Sequence, residues 1–291
     1  MLAYAPSVFY FAEPFNPIFN PPFSPFVASP WFLYLTDENV VEHEVRCRYV
    51  ENMISFKCEV WSGFQASRTP KQALKVFRDC AYRTKYRLFD GTALLKDPIA
   101  VFSAEWLAKT FNMNVLVLIR HPAAFVASLK RLEWRFGFST FLRQPLLMRD
   151  YLYPFEKEIS EFAAGANKTD IIDEATLLWR CIYSTVRIYQ DSYPDWLFFR
   201  HEDISTDPLS HYESIYRKLG LDFNTKVQTF IQKHSGEDNP VSRPNGVSGH
   251  IKLNSRAVVK NWKSYLTEAE IAQIRHRVED VSSAFYTDED W

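Results

Sequence analysis

An apolar run that ends on an arginine and turns at once into a helix is a place where an anion can be held. Val115 to Ile119 (VLVLI) has no polar residue, and Arg120 follows it directly. His121 and Pro122 come next, and proline is favoured at the first position of a helix. The free N–H groups at such a start favour negative charge. A guanidinium fork with a hydroxyl nearby is good phosphate chemistry, and Ser128 supplies the hydroxyl nearly two turns into the helix. Helical spacing predicts one buried stripe of Phe125, Leu129, Leu132 and Phe136, with Ser128 at its margin. The plainer alternative is an arginine capping a strand and a serine tolerated in a helix. His121 reads as a structural residue of the helix start.

Two further groups could do chemistry. Glu13 follows the aromatic run Ser7 to Ala12 (SVFYFA) and precedes Pro14, which holds it at a strand edge. A carboxylate whose pKa is raised by partial burial suits a general base; the alternative is a surface glutamate in a turn. Lys96 ends a second short run, TALLK, before Asp97-Pro98. It can neutralise charge that develops in a transition state, or simply pair with Asp97 or Glu13. Toward the C-terminus, Arg256 and Lys260 supply cations and Trp262 an indole able to stack on a flat ring. The alternative there is a helix with a core-facing tryptophan. Glu202 and Asp203 follow a strand and read as a turn and cap. No Cys/His spacing suits zinc, and no metal is assigned.

The elements that must position these residues are legible as alternating strands and helices. Strands are expected at Ser7 to Ala12, Thr92 to Lys96, Val115 to Ile119 and Trp196 to Arg200. Helices are expected over Phe102 to Phe111 with Ser103 as a possible cap, Pro122 to about Phe136, Glu174 to Tyr189, and near 209–219 and 224–234. Residues 35–80 read as helical in part. Thr267 with Glu270 makes a capping box that opens a last helix. The wholly apolar strand VLVLI suits a parallel sheet covered on both faces, and the alternation implies an α/β fold. Pro14 to Pro30 holds six prolines and cannot be regular structure; its phenylalanines need burial, so it reads as an ordered loop. Residues 236–255 form a polar loop marked by Gly and Pro.

The chain has 291 residues, no internal repeat and no low-complexity linker, so one domain over 1–291 is expected. Net charge is −1, which speaks against bulk binding to nucleic acid. No run approaches the roughly 18 apolar residues of a membrane span, and the aromatic N-terminus is a poor signal peptide. Cys47, Cys58, Cys80 and Cys181 read as reduced thiols in a reducing compartment, with a Cys47–Cys58 bridge as the alternative; the lack of a signal peptide makes a cytoplasmic location the expectation.

These pieces together resemble the sulfotransferases that use 3′-phosphoadenosine 5′-phosphosulfate, the carbohydrate-modifying group in particular. VLVLIRHPAAFVASLKRL resembles the family's 3′-phosphate motif. SVFYFAEPF is similar to a strand-and-loop segment carrying an acidic residue, LLKDPIAVFSAEWLAKTF to a Lys-x-Pro segment, FFRHEDISTDPLSHYESIYRKLGL to a strand, acidic turn and helix, and RAVVKNWKSYLTEAEI to a C-terminal segment near the nucleotide. They occur in family order over about residues 7–275. The resemblance implies donor binding by Arg120, Ser128, Arg256, Lys260 and Trp262, Glu13 as base with Lys96 beside it, and a hydroxyl of a glycan or glycolipid as acceptor. It also implies a P-loop-like fold with a Gly/Ser/Thr-rich 5′-phosphosulfate loop just upstream of MLAYAPSVFYFAEPF. The chain has eight glycines and no G-x-x-x-x-G-K-[ST]. The expectation is therefore an α/β sulfotransferase fold whose first strand and phosphate loop are missing by N-terminal truncation. A non-catalytic relative without the donor loop is the alternative.

Overall fold

The computed structural model describes residues 1–18, 24–27, 29–58, 64, 67, 69–165, 170–242 and 252–291. The chain divides into two compact units, Leu2–Met113 and Asn114–Trp291, with Met1 belonging to the second.

In the first unit, β1 (Val8–Ala12) and β2 (Thr92–Lys96) pair in parallel, in register from Val8 with Thr92 to Ala12 with Lys96. Parallel strands need a long crossover, and here it contains α1 (Glu44–Ile54) and α2 (Pro70–Leu88). After β2 a 3-10 turn, Pro98–Ser103, runs into α3 (Ala104–Phe111). The proline-rich loop is ordered by its aromatic residues where it is described. Phe15 and Phe26 are fully buried with ring centroids 4.4 Å apart, and they share a core with Leu33, Leu35, Val50, Trp106 and Leu107. Ser103 precedes α3 but does not cap it with its side chain. Its buried hydroxyl donates to the Leu33 carbonyl (2.6 Å) and accepts from the Leu35 N–H (2.9 Å), so it fastens the loop instead.

The cysteine reading is overturned by Cys58 and Cys80, which form a disulfide; Cys47 and Cys181 are the free thiols. Cys58 lies just beyond α1 and Cys80 on the buried side of α2, which brings their Cα atoms to 5.5 Å. Such a pairing depends on how the two helices meet, which residue spacing does not record.

In the second unit, β3 (Leu116–Ile119) and β4 (Leu197–Arg200) also pair in parallel, Leu116 with Leu197 to Ile119 with Arg200. Among the described residues each sheet has two strands. β3 is not covered on both faces as its composition suggests: Ile119 is buried, but Leu118 is 49% exposed. The helices are α4 (Pro122–Arg131), α5 (Glu156–Ala163), α6 (Ile171–Ser192), α7 (His201–Thr206), α8 (Pro208–Lys218), α9 (Thr225–Ser235) and α10 (Glu268–Ser282). Short helical turns fill Ser139–Phe155. The capping box of Thr267 and Glu270 is formed. Of the polar loop, residues 243–251 lie outside the described residues.

α6 is the spine of this unit and packs against α4 and α10. The face that α4 buries is Ala123, Val126 and Ala127, not the predicted stripe. Leu132 is 63% exposed, and Phe136 is buried beyond the helix, against Phe138 and Phe141. The helix ends at Arg131 because Glu133 takes a left-handed conformation (φ 49°), letting Trp134 N–H reach the Leu129 carbonyl at 3.0 Å. Helical periodicity continues past that point in the sequence; the backbone does not.

The disulfide closes a loop with a sequence separation of 22 residues, and a loop of that size constrains the unfolded chain by about 3 kcal/mol. Cys80→Ser is expected to lower unfolding free energy in urea by about that amount. Thiol titration of the denatured, unreduced chain should count Cys47 and Cys181 only; four reactive thiols would disprove the bridge.

Candidate functional site

The turn between β3 and α4 has its main chain held by buried side chains from elsewhere in the second unit. Arg120 N–H donates to the Tyr183 hydroxyl (3.0 Å), and the Arg120 carbonyl accepts from the Trp179 indole (2.9 Å). Trp179 and Tyr183 are one turn apart on α6, with ring centroids 4.6 Å apart. His121 N–H donates to Glu202 Oε1 (3.0 Å), and Glu202 Oε2 accepts from the Tyr286 hydroxyl (3.0 Å). Buried main-chain groups must find partners, and at this turn side chains supply them. Burial, aided by the Glu202 carboxylate, pushes the Tyr286 phenol up, so it remains a donor to Glu202.

His121 caps α4 with its ring. Nδ1 accepts from Ala123 N–H (3.2 Å), which puts the ring proton on Nε2, and Nε2 is buried with no hydrogen-bond partner among the described residues. Trp262 stacks on this ring at 5.1 Å and 9°, while Tyr286 and Trp291 meet it edge-on at 4.8 and 4.5 Å. Burial is the main cause that pushes the imidazole down to about 3; Asp290 opposes the shift, and Lys260, Arg200 and Lys263 add to it. The sequence reading of His121 as structural agrees with this geometry.

Arg120 itself is half-buried, and its Nε is buried with no hydrogen-bond partner among the described residues. Burial lowers the guanidinium from its ordinary value while the Tyr183 and Glu202 charges oppose that. A guanidinium stays charged in proteins, so an orphaned Nε here is a donor suited to an anion. The helix start contributes less than the sequence suggests, because His121 takes the Ala123 N–H that an anion would use. Ser128 is half-buried within α4.

The C-terminal residues are placed less favourably for a ligand. Arg256 is exposed and donates to the Thr206 carbonyl from Nη2 (3.0 Å) and Nε (3.3 Å). Lys260 donates to the Glu289 carbonyl at 3.1 Å. Trp262 is 4% exposed. It is the core-facing tryptophan of the alternative reading, and its stacking surface is spent on His121.

In the first unit, Glu13 and Lys96 are brought together at the ends of β1 and β2. Glu13 N–H donates to the Lys96 carbonyl (2.8 Å), and the two side chains form an ion pair. Glu13 adopts φ 48°, a conformation uncommon outside glycine. The buried Asn16 amide donates to Glu13 Oε2 at 3.0 Å. Burial pulls the Glu13 carboxyl up, but hydrogen bonds from Lys96 and Asn16 and the Lys96 charge outweigh it, and the net shift is downward. The expected rise falls instead on its neighbour. Asp97 is pushed up to about 6 by burial, with the Glu13 charge adding, although it accepts from Phe15 N–H (2.6 Å) and Ile99 N–H (2.9 Å). Sequence reading passed over Asp97, whose only signal was its place between Lys96 and Pro98. It also passed over Trp179, Tyr183 and Tyr286, which were visible only as aromatic residues.

Comparison with protein-family models, curated proteins and solved structures gives no match. The functional reading therefore rests on the residues and their surroundings. Among the described residues no group of three or more His, Cys, Asp or Glu is arranged to hold a metal.

His121 gives a pH signature. The unfolded ring titrates near 6.5 and the folded ring near 3. Its contribution to stability is thus complete above pH 6.5 and is lost as pH falls toward 3, at ~1.4 kcal/mol per pH unit. His121→Asn keeps an acceptor for the Ala123 N–H and has no proton to bind. Urea unfolding at pH 7 and pH 5 should show a shallower loss for this variant; an unchanged slope would mean that His121 is already protonated in the fold.

Proposed function

We propose that the chain is a sulfotransferase that uses 3′-phosphoadenosine 5′-phosphosulfate, with a hydroxyl of a glycan or glycolipid as acceptor. The observation that carries this reading is the buried, unpartnered Nε of Arg120 at the turn from β3 into α4. A cation set at a strand-to-helix turn is where α/β proteins take phosphate. The α/β pattern of parallel pairs followed by helices supports a P-loop-like sulfotransferase fold as the finer assignment.

The donor's fit to the residues is partial. Arg120 and Ser128 would hold the 3′-phosphate, and because the Arg120 Nε is buried, the groups that cover it would have to move to admit the anion. Trp262, Arg256 and Lys260 do not fit as they stand, because each is already engaged by the protein. The donor would supply the sulfuryl group. In such a transfer the acceptor oxygen bonds to sulfur as the bond from sulfur to the phosphate oxygen breaks, and the hydroxyl proton needs a base. Glu13 is ionised at neutral pH because Lys96 and Asn16 stabilise its charge, so it can accept that proton. Lys96 can steady the carboxylate or the sulfuryl oxygens.

A second reading is a non-catalytic relative. It is favoured by the engaged state of Trp262, Arg256 and Lys260 and by the mutual neutralisation of Glu13 and Lys96. The Cys58–Cys80 bridge also argues for folding in an oxidising compartment rather than the cytoplasm. Among the described residues no helix is long and apolar enough to cross a membrane.

Calorimetry with adenosine 3′,5′-bisphosphate tests the donor assignment. Arg120→Ala is expected to weaken binding by about 2–4 kcal/mol, the loss of a charge-assisted contact. Absence of binding by the unaltered chain would favour the second reading, and equal binding by the variant would remove Arg120 from the site. Glu13→Gln is expected to lower turnover of a glycan acceptor with donor affinity nearly intact; normal turnover would return Glu13 to a structural role.

A further inference from the structure

α2 has two unlike faces. Its inner face is Val76, Cys80, Arg83 and Tyr86, none of which is exposed. Cys80 is bonded to Cys58, the Arg83 guanidinium lies over the Phe11 ring at 5.2 Å, and Tyr86 meets the Phe9 ring edge-on at 5.1 Å. The outer face is apolar where a solvent-facing helix is ordinarily polar. Leu74 is 68% exposed, Phe77 61% and Leu88 72%, with Ala81 exposed between them. Their spacing of three, four and seven residues puts all four on one side of the helix. Phe89, just past the helix, is 76% exposed.

The flanks of this stripe are cationic. α2 carries six Lys and Arg (71, 75, 78, 83, 85, 87) against one acid, Asp79, for a net charge of +5. All of these cations except Arg83 are exposed. Arg78 comes to 3.8 Å of Asp79, a separation at which an exposed pair contributes little. Isolated surface hydrophobics mean nothing. An apolar stripe bordered by lysine and arginine is different, because it leaves apolar area in water and concentrates like charge along one helix.

Three occupants could cover such a face. A second copy would bring an equally cationic helix against it, which like-charge repulsion opposes. A peptide would have to carry both acidic and apolar groups along the length of the helix to match this face, and failure of the vesicle test below assigns the face to such a partner. A plane of apolar chains beneath anionic headgroups satisfies both features: the stripe enters the interface, and the lysine and arginine stems lie flat with their charges in the headgroup layer.

We propose that the outer face of α2 is a docking surface for anionic lipid bilayers. Its apolar contact is Leu74, Phe77 and Leu88, and its electrostatic contact is Lys71, Lys75, Arg78 and Lys85. The surface is independent of the sulfuryl-transfer reading, since none of these residues belongs to either candidate site.

The test is co-sedimentation of the full chain with phosphatidylcholine vesicles and with vesicles of equal parts phosphatidylcholine and phosphatidylserine. Binding is expected only with phosphatidylserine, and it should weaken as salt rises. Each of Lys71→Ala, Lys75→Ala and Arg78→Ala is expected to reduce partitioning by about fivefold. Phe77→Asp should abolish it. These side chains are exposed, so the melting temperature should hold, which separates lost binding from lost folding. Equal binding to both vesicle types would overturn the electrostatic assignment. No binding to either, or a dimer in solution that Phe77→Asp dissociates, would overturn the proposal and assign the face to another protein surface.

Discussion

The turn at Arg120 and His121 is closed by side chains rather than by regular structure, and the second unit is arranged around that necessity. Arg120 N–H and carbonyl and His121 N–H each depend on one buried partner: Tyr183, Trp179 and Glu202. Leaving a buried main-chain group without its partner costs about 1–3 kcal/mol, so three such bonds amount to a large part of a domain's net stability. The requirement fixes the rotation of α6, since two of the partners lie one turn apart on it. It also fixes the start of α7, where Glu202 must be buried. Glu202 in turn needs the Tyr286 hydroxyl, which ties the segment after α10 to the same point.

The two candidate clusters handle charge in opposite ways. At the ends of β1 and β2, two carboxyls on separate segments are driven apart, Glu13 downward by its cation and amide partners and Asp97 upward by burial. Neighbouring carboxyls with diverging pKa values are the pattern by which one site can offer both a base and an acid. Around Arg120 the arrangement is a cation whose buried Nε has no carboxylate on it. In the first cluster the cation is paired directly with a carboxylate, and among the described residues Arg120 has no such ion pair, which is why Arg120 rather than Glu13 carries the functional reading.

Much of this was readable from residue order. β2 matches the TALLK run in full, β1 lacks only Ser7 of its predicted segment, and β3 and β4 each begin one residue later than their apolar runs suggest. The capping box of α10 and the proline start of α4 follow from local rules that do not need the rest of the chain. What failed depended on contacts distant in sequence. The end of α4 is set by a left-handed Glu133, for which its side chain gives no warning. The buried face of α4 is made of small residues because α6 lies against it, and apolar periodicity alone favours the larger side chains. The pairing of Cys58 with Cys80, the upward shift of Asp97 and the engagement of Trp262 by His121 are likewise properties of packing.

Trp262 lies flat on the His121 ring, and Trp291 meets the same ring from another side. An uncharged imidazole is a mild neighbour for an excited indole, whereas an imidazolium withdraws its electron and darkens it. The emission of Trp262 and Trp291, two of the chain's eight tryptophans, is thus coupled to one proton on one ring. The light that these two emit is a reporter of the turn below Arg120, without any label being added.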